Sequence, residues 1–362
     1  MKNKLEEARR IIDEVDAEMA HLFVKRMRAA EIVHEYKRAA GLPVLDAKRE
    51  KAVLEQNTAL VEDAVLKEYY IDYLKGVMSI SRAYQSRLQS GLRVAYSGVE
   101  GAFAHIAAER VFPQGVCVPC PDFKAAYNAV LCGDCDAAVL PVENSYAGEV
   151  GQTLDLIFSG SLFINGIYEL EIHQHLLGLP EATVEDIRKV TSHPQALSQC
   201  RSYLDLRGFE TEESANTALS AKAVAEKGDK SFGAVASAKT AELYGLKIVE
   251  ANINKSGENT TRFAVLSKVR AAAPSHLSTV LMLTVKHETG SLANAVSIIA
   301  RHGYSMTALR SRPMKQHSWQ YYFYVELDGR VDTDAGKKML EELAGVCDEL
   351  KVAGTFAPHA QI

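Results

Sequence analysis

Between Leu5 and Lys37 the apolar residues recur at Leu5, Ala8, Ile12, Val15, Met19, Leu22, Ala29/Ala30 and Val33, with no breaker before Gly41-Leu42-Pro43. That spacing predicts one continuous helix, roughly 50 Å long at 1.5 Å per residue. Two shorter helices are expected after it, from Asp46 to about Thr58 and from Val61 to about Gln89. They cannot cover the first helix alone, so a second copy of the chain is expected to complete the core. Polar residues interrupt these stripes. Arg26 falls between Leu22 and Ala30, Lys37 four residues after Val33, and Ser81 and Gln85 on the stripe of Leu74, Met78 and Leu88. An unpaired buried charge costs several kcal/mol. These positions therefore predict a closed cavity lined by cationic and hydrogen-bonding groups, shaped for a small polyanion; salt bridges to Asp16 or to Glu residues across the bundle are the alternative.

From Leu92 to about Lys268 the period changes to short apolar strands ("RVAYSG", "AAVLPVEN", "FGAVAS", "KIVEANI") separated by helical stretches. This is an α/β pattern, read as two lobes with the chain crossing near Leu170 to Gly178 and returning near Val249 to Asn252. Ligands of such folds bind in the cleft outside the strand ends. After a linker at Ala271-Ala272-Ala273-Pro274 the order strand "STVLMLTV", helix "GSLANAVSIIARHG", strand "YSMTALRSRP", strand "SWQYYFYVEL", helix "DAGKKMLEELAGV" and a last strand is βαββαβ, a ferredoxin-like sandwich. With no catalytic cluster of its own, that segment is read as regulatory.

A length of 362 residues, 47% hydrophobic and 24% charged, fits three such domains, placed at 1–90, 92–270 and 276–362. The net charge of -5 argues against nucleic acid as a partner. No stretch approaches the ~20 apolar residues that cross a bilayer, so no membrane is expected and a cytoplasmic location is. The pairs Cys117-Val118-Pro119-Cys120 and Cys132-Gly133-Asp134-Cys135 have a spacing that can build a four-cysteine zinc site. Cys117 lies, however, in an alternating strand-like run, and Asp122 to Leu131 reads as a helix. The cysteines are read as reduced, partly buried thiols, with no metal.

The stretch "SHPQALSQC" sets Ser192 beside His193, with Cys200 near. Pro194 suits a first helical turn, Ser192 or His193 the cap before it, and Gln195 and Gln199 lie four apart on one face. A hydrolase would need a strained elbow such as G-x-S-x-G and an orienting acid, which the segment lacks.

These residues carry resemblances. The helical segment resembles the all-helical chorismate mutases, with Arg9, Arg26, Lys37, Asp46, Arg49, Glu50, Ser81 and Gln85 at that family's spacing. The middle segment resembles the prephenate dehydratases through "LPVENSYAG", "SHPQALSQC" and "TTRF", and the last resembles the ACT regulatory domains. The order is that of the bifunctional P-protein family of phenylalanine biosynthesis. The resemblance implies a multidomain fold: an all-α mutase domain, a two-lobed periplasmic-binding-like dehydratase domain and an α+β ACT domain. It also implies chorismate and prephenate as substrates, phenylalanine as effector, a homodimer or higher oligomer, and no cofactor.

By resemblance, Lys37 and Gln85 are donors to the ether oxygen of the rearranging substrate, Arg9 (from a second chain) and Arg26 hold carboxylates, Glu50 holds the ring hydroxyl, and Asp46, Arg49 and Ser81 complete the lining. Arg10 is the alternative to Arg9. Asn144, Ser192, Gln199 and Thr261 line the dehydratase cleft, with Thr261 donating to the leaving hydroxyl and Arg262 anchoring a carboxylate. The effector is expected at Gly290-Ser291-Leu292 and at Arg310-Ser311-Arg312-Pro313.

The chain departs from these families at three points. Val99 and Ala102 stand where the dehydratases usually have Pro and Thr or Ser. Gly98-x-x-Gly101 lacks the remaining glycine and the acidic partner of a dinucleotide fingerprint. Arg310 stands where ACT domains of this kind have Glu. If position 310 meets the effector, weakened phenylalanine inhibition is expected, strengthened by Arg310→Glu; if it points into solvent, no change is. A non-catalytic amino-acid sensor and a dehydratase acting on arogenate are the alternative functions.

Overall fold

The computed structural model describes residues 2–254, 259–271, 277–314, 320–357 and 360–362. The expected linker at 272–274 and the boundary at 276 lie outside them. Two compact units emerge: the chain up to Arg93 with Cys132–Asp136, and the remainder.

The first unit is all-helical: α1 (Lys2–Ala39), α2 (Ala47–Thr58) and α3 (Ala64–Ser90), with α3 against both others. Asp46 caps α2 by accepting from Arg49 N (2.9 Å), and Asp63 caps α3 by accepting from Val65 N and Leu66 N (2.8 and 2.9 Å), which is why α3 starts after Asp63 and not at Val61. The face of α1 that the chain itself covers is narrow, with Met27 and His34 buried, while Met78, Ser81 and Gln85 are buried on α3. The apolar stripe is bare in the single chain: Leu5, Ile12 and Leu22 are 54%, 58% and 62% exposed.

The second unit opens with β1 (Arg93–Ser97), α4 (Phe103–Val111), β2 (Val116–Cys120), α5 (Phe123–Cys132), β3 (Ala137–Asn144), β4 (Gly148–Glu149), α6 (Gly151–Ser159) and β5 (Phe163–Glu171). The chain crosses to a second lobe of β6 (His175–Gly178), β7 (Lys189–Ser192), α7 (Pro194–Gln199), α8 (Arg201–Arg207), β8 (Glu210–Glu213), α9 (Thr217–Lys227), β9 (Phe232–Ala236), α10 (Ala238–Tyr244) and β10 (Lys247–Glu250). It then returns to the first sheet as β11 (Thr260–Ser267), between β3 and β5. The second sheet, ordered β10-β6-β9-β7-β8, is covered on both faces because β6 alternates: Leu176 packs with Leu197, Cys200 and Leu204, and Leu177 with Ala221, Val224 and Ala241.

The C-terminal segment is βαββαβ as expected: β12 (Ser278–Val285), α11 (Ser291–Arg301), β13 (Ser305–Pro313), β14 (Tyr321–Asp328), α12 (Asp334–Ala344) and β15 (Cys347–Phe356), with a short β16 (Ala360–Gln361) added on β5. Its sheet continues into that of the first lobe, in the order β13-β14-β12-β15-β5-β11-β3-β1-β2. One face packs on its own helices through Leu281, Leu283, Ile298, Val325, Leu327, Met339 and Leu343. The opposite face meets α6: Tyr322 stacks on Phe158 at 4.3 Å, and the Lys351 ammonium sits on the Ile157 and Gly160 carbonyls at the end of α6. Burial lowers the pKa of that lysine. The uninterrupted burial of β12, on both faces, follows from this second layer.

Candidate active sites

In the helical unit Arg26 of α1 meets Ser81 of α3, one turn before Gln85. Arg26 donates to the Ser81 hydroxyl and toward the Val77 carbonyl (3.5 Å), Lys37 donates to the Val44 carbonyl (2.6 Å), and Gln85 Nε2 donates to the Ser81 carbonyl (3.2 Å). Gln85 Oε1 is buried without a partner among the described residues. Glu50 is half-buried and paired with Arg82, a cation beside Ser81 that the stripe reading passed over. Glu31 is a second omission: Tyr84 and Arg28 hold its carboxyl below the ordinary value. The expected closed cavity is not closed by three helices, since Arg9, Arg26, Asp46 and Arg49 remain exposed in the single chain. Arg10 is engaged by Glu7 and Glu14 of its own helix, both at 2.7 Å, whereas Arg9 has no such partner among the described residues.

The α/β unit builds a second polar cluster where β3 and β11 end side by side, with Thr261 opposite Asn144. Asn144 Nδ2 donates to Thr261 Oγ1 and Asn259 Oδ1, both at 2.9 Å. Its Oδ1 accepts from Tyr146 N (3.1 Å) and Ala147 N (2.9 Å), an Asx turn that Gly148 completes at φ +80. Both side chains are buried. From the second lobe, Gln199 accepts from Gln174 at 3.4 Å. Asn259 Nδ2 and Gln174 Oε1 are buried with no partner among the described residues, the kind of unmet polar atom that a ligand or water answers. Neither was expected; both lie beside residues that were, Gln174 on the crossing and Asn259 just before "TTRF".

Around "SHPQALSQC" the expectation for Ser192 is corrected, while the cap at His193 and the rejection of a hydrolase nucleophile hold. Ser192 is fully buried and donates to the Val235 carbonyl (2.6 Å), so its proton ties β7 to β9 and does not point into a cleft. His193 caps α7, accepting from Gln195 N at 3.2 Å, and of the two glutamines only Gln199 is buried. Burial pushes the Cys200 thiol up to about 12, which removes it as a nucleophile near neutral pH.

Arg262 follows Thr261 on β11 and so points to the opposite face. There it meets Glu143 (3.0 Å) and Glu326 (3.1 Å), not the Thr261 hydroxyl, so the role of carboxylate anchor does not fit. Burial alone would lower the pKa of this guanidinium; Glu326 and Glu143 outweigh that and hold it above its ordinary value. In the first glycine turn, Gly101 is in the left-handed region, and its carbonyl accepts from Ser237 (3.2 Å) and Thr240 (2.9 Å) of the second lobe.

The two effector motifs separate. Gly290, at φ +86, precedes the first turn of α11, and Leu292 lines a cavity of about 300 Å³ with Thr289, Tyr321 and Phe323. Ser311 and Pro313 pair in register with Phe323 and Tyr321 and so share that side of the sheet. Arg310 and Arg312 share the other side, contrary to their expected place at the effector. Arg310 donates to Glu143 (2.6 Å) and lies over the Tyr324 ring, and Arg312 donates to Asp155 (3.2 Å). Position 310 does not point into solvent either.

Cys117 and Cys120 lie three apart on β2, hence on opposite faces, unlike a zinc knuckle. No group of three or more His, Cys, Asp or Glu among the described residues could hold a metal ion, and no described helix is long and apolar enough to cross a membrane.

With this geometry in place, the chain was compared with known proteins. The type II chorismate mutase family matches residues 8–86 and the prephenate dehydratase family residues 94–271. A bifunctional chorismate mutase/prephenate dehydratase of Aquifex aeolicus is 32% identical over 98% of both chains. Among solved structures, a protein described as a quorum quenching acylase is 31% identical over 73% of this chain and 97% of its own, with a TM-score of 0.68. The prephenate dehydratase of Arthrobacter aurescens in complex with L-Phe is 26% identical over 74% of this chain and 90% of its own, also with a TM-score of 0.68. Two family matches in series and a relative aligned from end to end lead to one statement: the chain belongs to the bifunctional chorismate mutase/prephenate dehydratase family.

Proposed function

We propose that the chain converts chorismate to prephenate in its helical unit and prephenate to phenylpyruvate in the cleft of its α/β unit, under feedback control by phenylalanine at the C-terminal, ACT-like sheet. The observation that carries this reading is the end-to-end similarity to a bifunctional relative, 98% of both chains.

The first reaction is an intramolecular rearrangement in which a C–O bond breaks as a C–C bond forms. It needs no nucleophile, base or cofactor, only a compact substrate conformer and donors aimed at the ether oxygen as negative charge grows there. Lys37 and Gln85 suit the donor role: the ammonium keeps two further N–H groups beyond its bond to Val44, and the Gln85 amide keeps one beyond its bond to Ser81. Arg26, fixed by Ser81, suits a substrate carboxylate. Asp46 and Arg49 meet at the start of α2, and Glu50, paired with Arg82, suits an acceptor for the ring hydroxyl.

Arg9 precedes Arg26 by roughly 25 Å along one helix and cannot serve the same pocket in its own chain. A second copy laid antiparallel on the bare stripe supplies that cation and covers Leu5, Ile12 and Leu22, so the mutase works as at least a homodimer.

In the second reaction prephenate takes up a proton and loses CO2 and water as the ring becomes aromatic. The Thr261 hydroxyl accepts from Asn144, which leaves its own proton to donate to the departing hydroxyl. Asn259 Nδ2 and the Gln199 amide N–H groups supply donors for the substrate carboxylates and carbonyl, Gln174 positions Gln199 by donating to it, and Ser192 acts by holding the strand before α7. The cavity beside Leu292, open at the amino end of α11, suits the carboxylate and ring of phenylalanine.

The test is to feed purified protein with chorismate, and separately with prephenate and arogenate, while following products. Phenylpyruvate from chorismate through prephenate is expected. Neither product would overturn the reading, and a preference for arogenate would change the second substrate.

A further inference from the structure

A cluster of charged side chains and two tyrosines joins the C-terminal sheet to the dehydratase site. Glu143 is its centre, one residue before Asn144 on β3. One of its oxygens accepts from Arg310 Nη2 (2.6 Å) and the other from Arg262 Nη1 (3.0 Å). Arg262 is one residue past Thr261 on β11 and also binds Glu326 (3.1 and 3.2 Å), which accepts from the Tyr324 hydroxyl (3.2 Å) under the Arg310 guanidinium. Arg312 extends the contact to Glu149 (3.6 Å), the cross-strand partner of Glu143, and to Asp155 on α6 (3.2 Å), which the Tyr322 hydroxyl also reaches (2.8 Å).

Two features make this more than a surface ion-pair network. Arg310, Arg262 and Glu143 are 18%, 16% and 26% exposed, and Glu326 is 1% exposed, so each pairing fixes a side chain in a mostly dry setting. Strand alternation also puts the cluster directly behind the candidate catalytic pair: Glu143 and Arg262 face it from one side of the sheet, and Asn144 and Thr261 face the substrate cleft from the other.

We propose that Arg310 is a positioning residue of the dehydratase site: through Glu143, shared with Arg262, it holds the ends of β3 and β11 in the register that sets the Thr261 hydroxyl on Asn144. The C-terminal sheet then forms part of the support of that site, and the arginine found where related ACT domains carry glutamate acts on catalysis and not on effector affinity. A glutamate at 310 would face Glu143 and Glu149 together. Arg310→Glu is therefore expected to impair the dehydratase, the reverse of what an effector contact would give. The inference rests on the dehydratase reading above.

The experiment is steady-state phenylpyruvate formation from added prephenate by the full-length chain, wild type and variants, with chorismate consumption measured on the same samples. Arg310→Gln should lower kcat by about tenfold with KM little changed, as expected when reacting groups are misplaced but substrate contacts remain. Arg310→Lys should recover most of the loss, and the mutase reaction should be unaffected in both. Glu143→Gln should match Arg310→Gln, and the double variant should be no worse than either single one, because one linkage has been cut twice. Wild-type kcat in Arg310→Gln, or losses that multiply in the double variant, would overturn the proposal. If Arg310→Gln misfolds, shown by a parallel loss of mutase activity, Glu143→Gln decides by the same readout. A wild-type protein that forms no phenylpyruvate would instead remove the dehydratase reading, and this proposal with it.

Discussion

In the helical unit the charged groups of the site are held by few contacts, such as Lys37 by one carbonyl and Arg26 by the Ser81 hydroxyl and, at 3.5 Å, the Val77 carbonyl, on helices whose apolar stripe is bare. In the α/β unit the groups of the site are backed by a cluster in which Glu143, Arg262 and Glu326 each meet more than one partner. The contrast follows the chemistry asked of each. A rearrangement with no proton transfer needs charges that can close around a dianion, and a second chain can complete them. Expelling a hydroxyl as water needs one donor fixed at one point, which favours a support internal to the chain.

The sharpest way to break the comparison is to attack the internal support. Glu326 is the most buried member of the cluster, and Glu326→Ala takes from the Arg262 guanidinium its most buried carboxylate, leaving Glu143 (3.0 Å) and the more distant Glu169 (3.8 Å), and takes from the Tyr324 hydroxyl its acceptor. Removing one partner of a buried pair costs about 3 kcal/mol or more. The α/β unit should melt earlier in differential scanning calorimetry, with loss of dehydratase activity on warming. An unchanged melting profile would show the cluster to be dispensable for stability.

Next in size is a probe of the helical unit: Lys37→Ala should lower mutase turnover by roughly 10²-fold, as removal of an oxyanion-type donor does, while added prephenate is still converted. Equal loss of both activities would contradict the separation of the two sites. Thr261→Ala is the converse and smaller, about tenfold if the hydroxyl contributes one hydrogen bond to the departing group. Chorismate should be consumed normally and prephenate should accumulate; unchanged phenylpyruvate output would return "TTRF" to a structural part.

How much of this was legible in the sequence differs between the same two regions. The period of α1 announced both the helix and the apolar stripe that its own chain leaves exposed, because such a stripe is a local property of the sequence. The βαββαβ order was equally local. What escaped depended on which side of a strand a residue occupies and what lies beyond it. Arg262 and Arg310 were read as ligand contacts because they sit inside motifs, yet each alternates away from its neighbours Thr261 and Ser311. Their acidic partners lie 119 and 167 residues away in the chain. The joining of the C-terminal sheet to the first lobe escaped for a similar reason, since the βαββαβ order that "STVLMLTV" opens reads as a separate sandwich. Arg82 was the most accessible omission: a second cation next to Ser81 was in view, and only the assumption that one stripe carries the whole site excluded it.

The smallest effect expected concerns pH and the crossing between the lobes. His175 opens β6 and is buried, and its Nδ1 accepts from the backbone N–H of Asn252, a residue in the left-handed region at φ 54. Burial, and then the neighbouring His173, lowers its pKa from the ordinary 6.5. The folded state thus favours the neutral ring, while the unfolded chain takes up a proton already near 6.5. The stability this histidine contributes is present above that pH and is lost as pH falls through the lower folded value, where protonation of Nδ1 removes the acceptor for Asn252. Glu171, Lys239 and Glu242 also border the adjoining cavity, so the measurement is made as a difference between wild type and variant. His175→Asn keeps an oxygen acceptor near the Nδ1 position and does not titrate. Between about pH 7.5 and 5.5 the wild-type melting temperature should fall by about 2 °C more than that of the variant. Equal slopes would show that His175 carries no part of the acid sensitivity of this region.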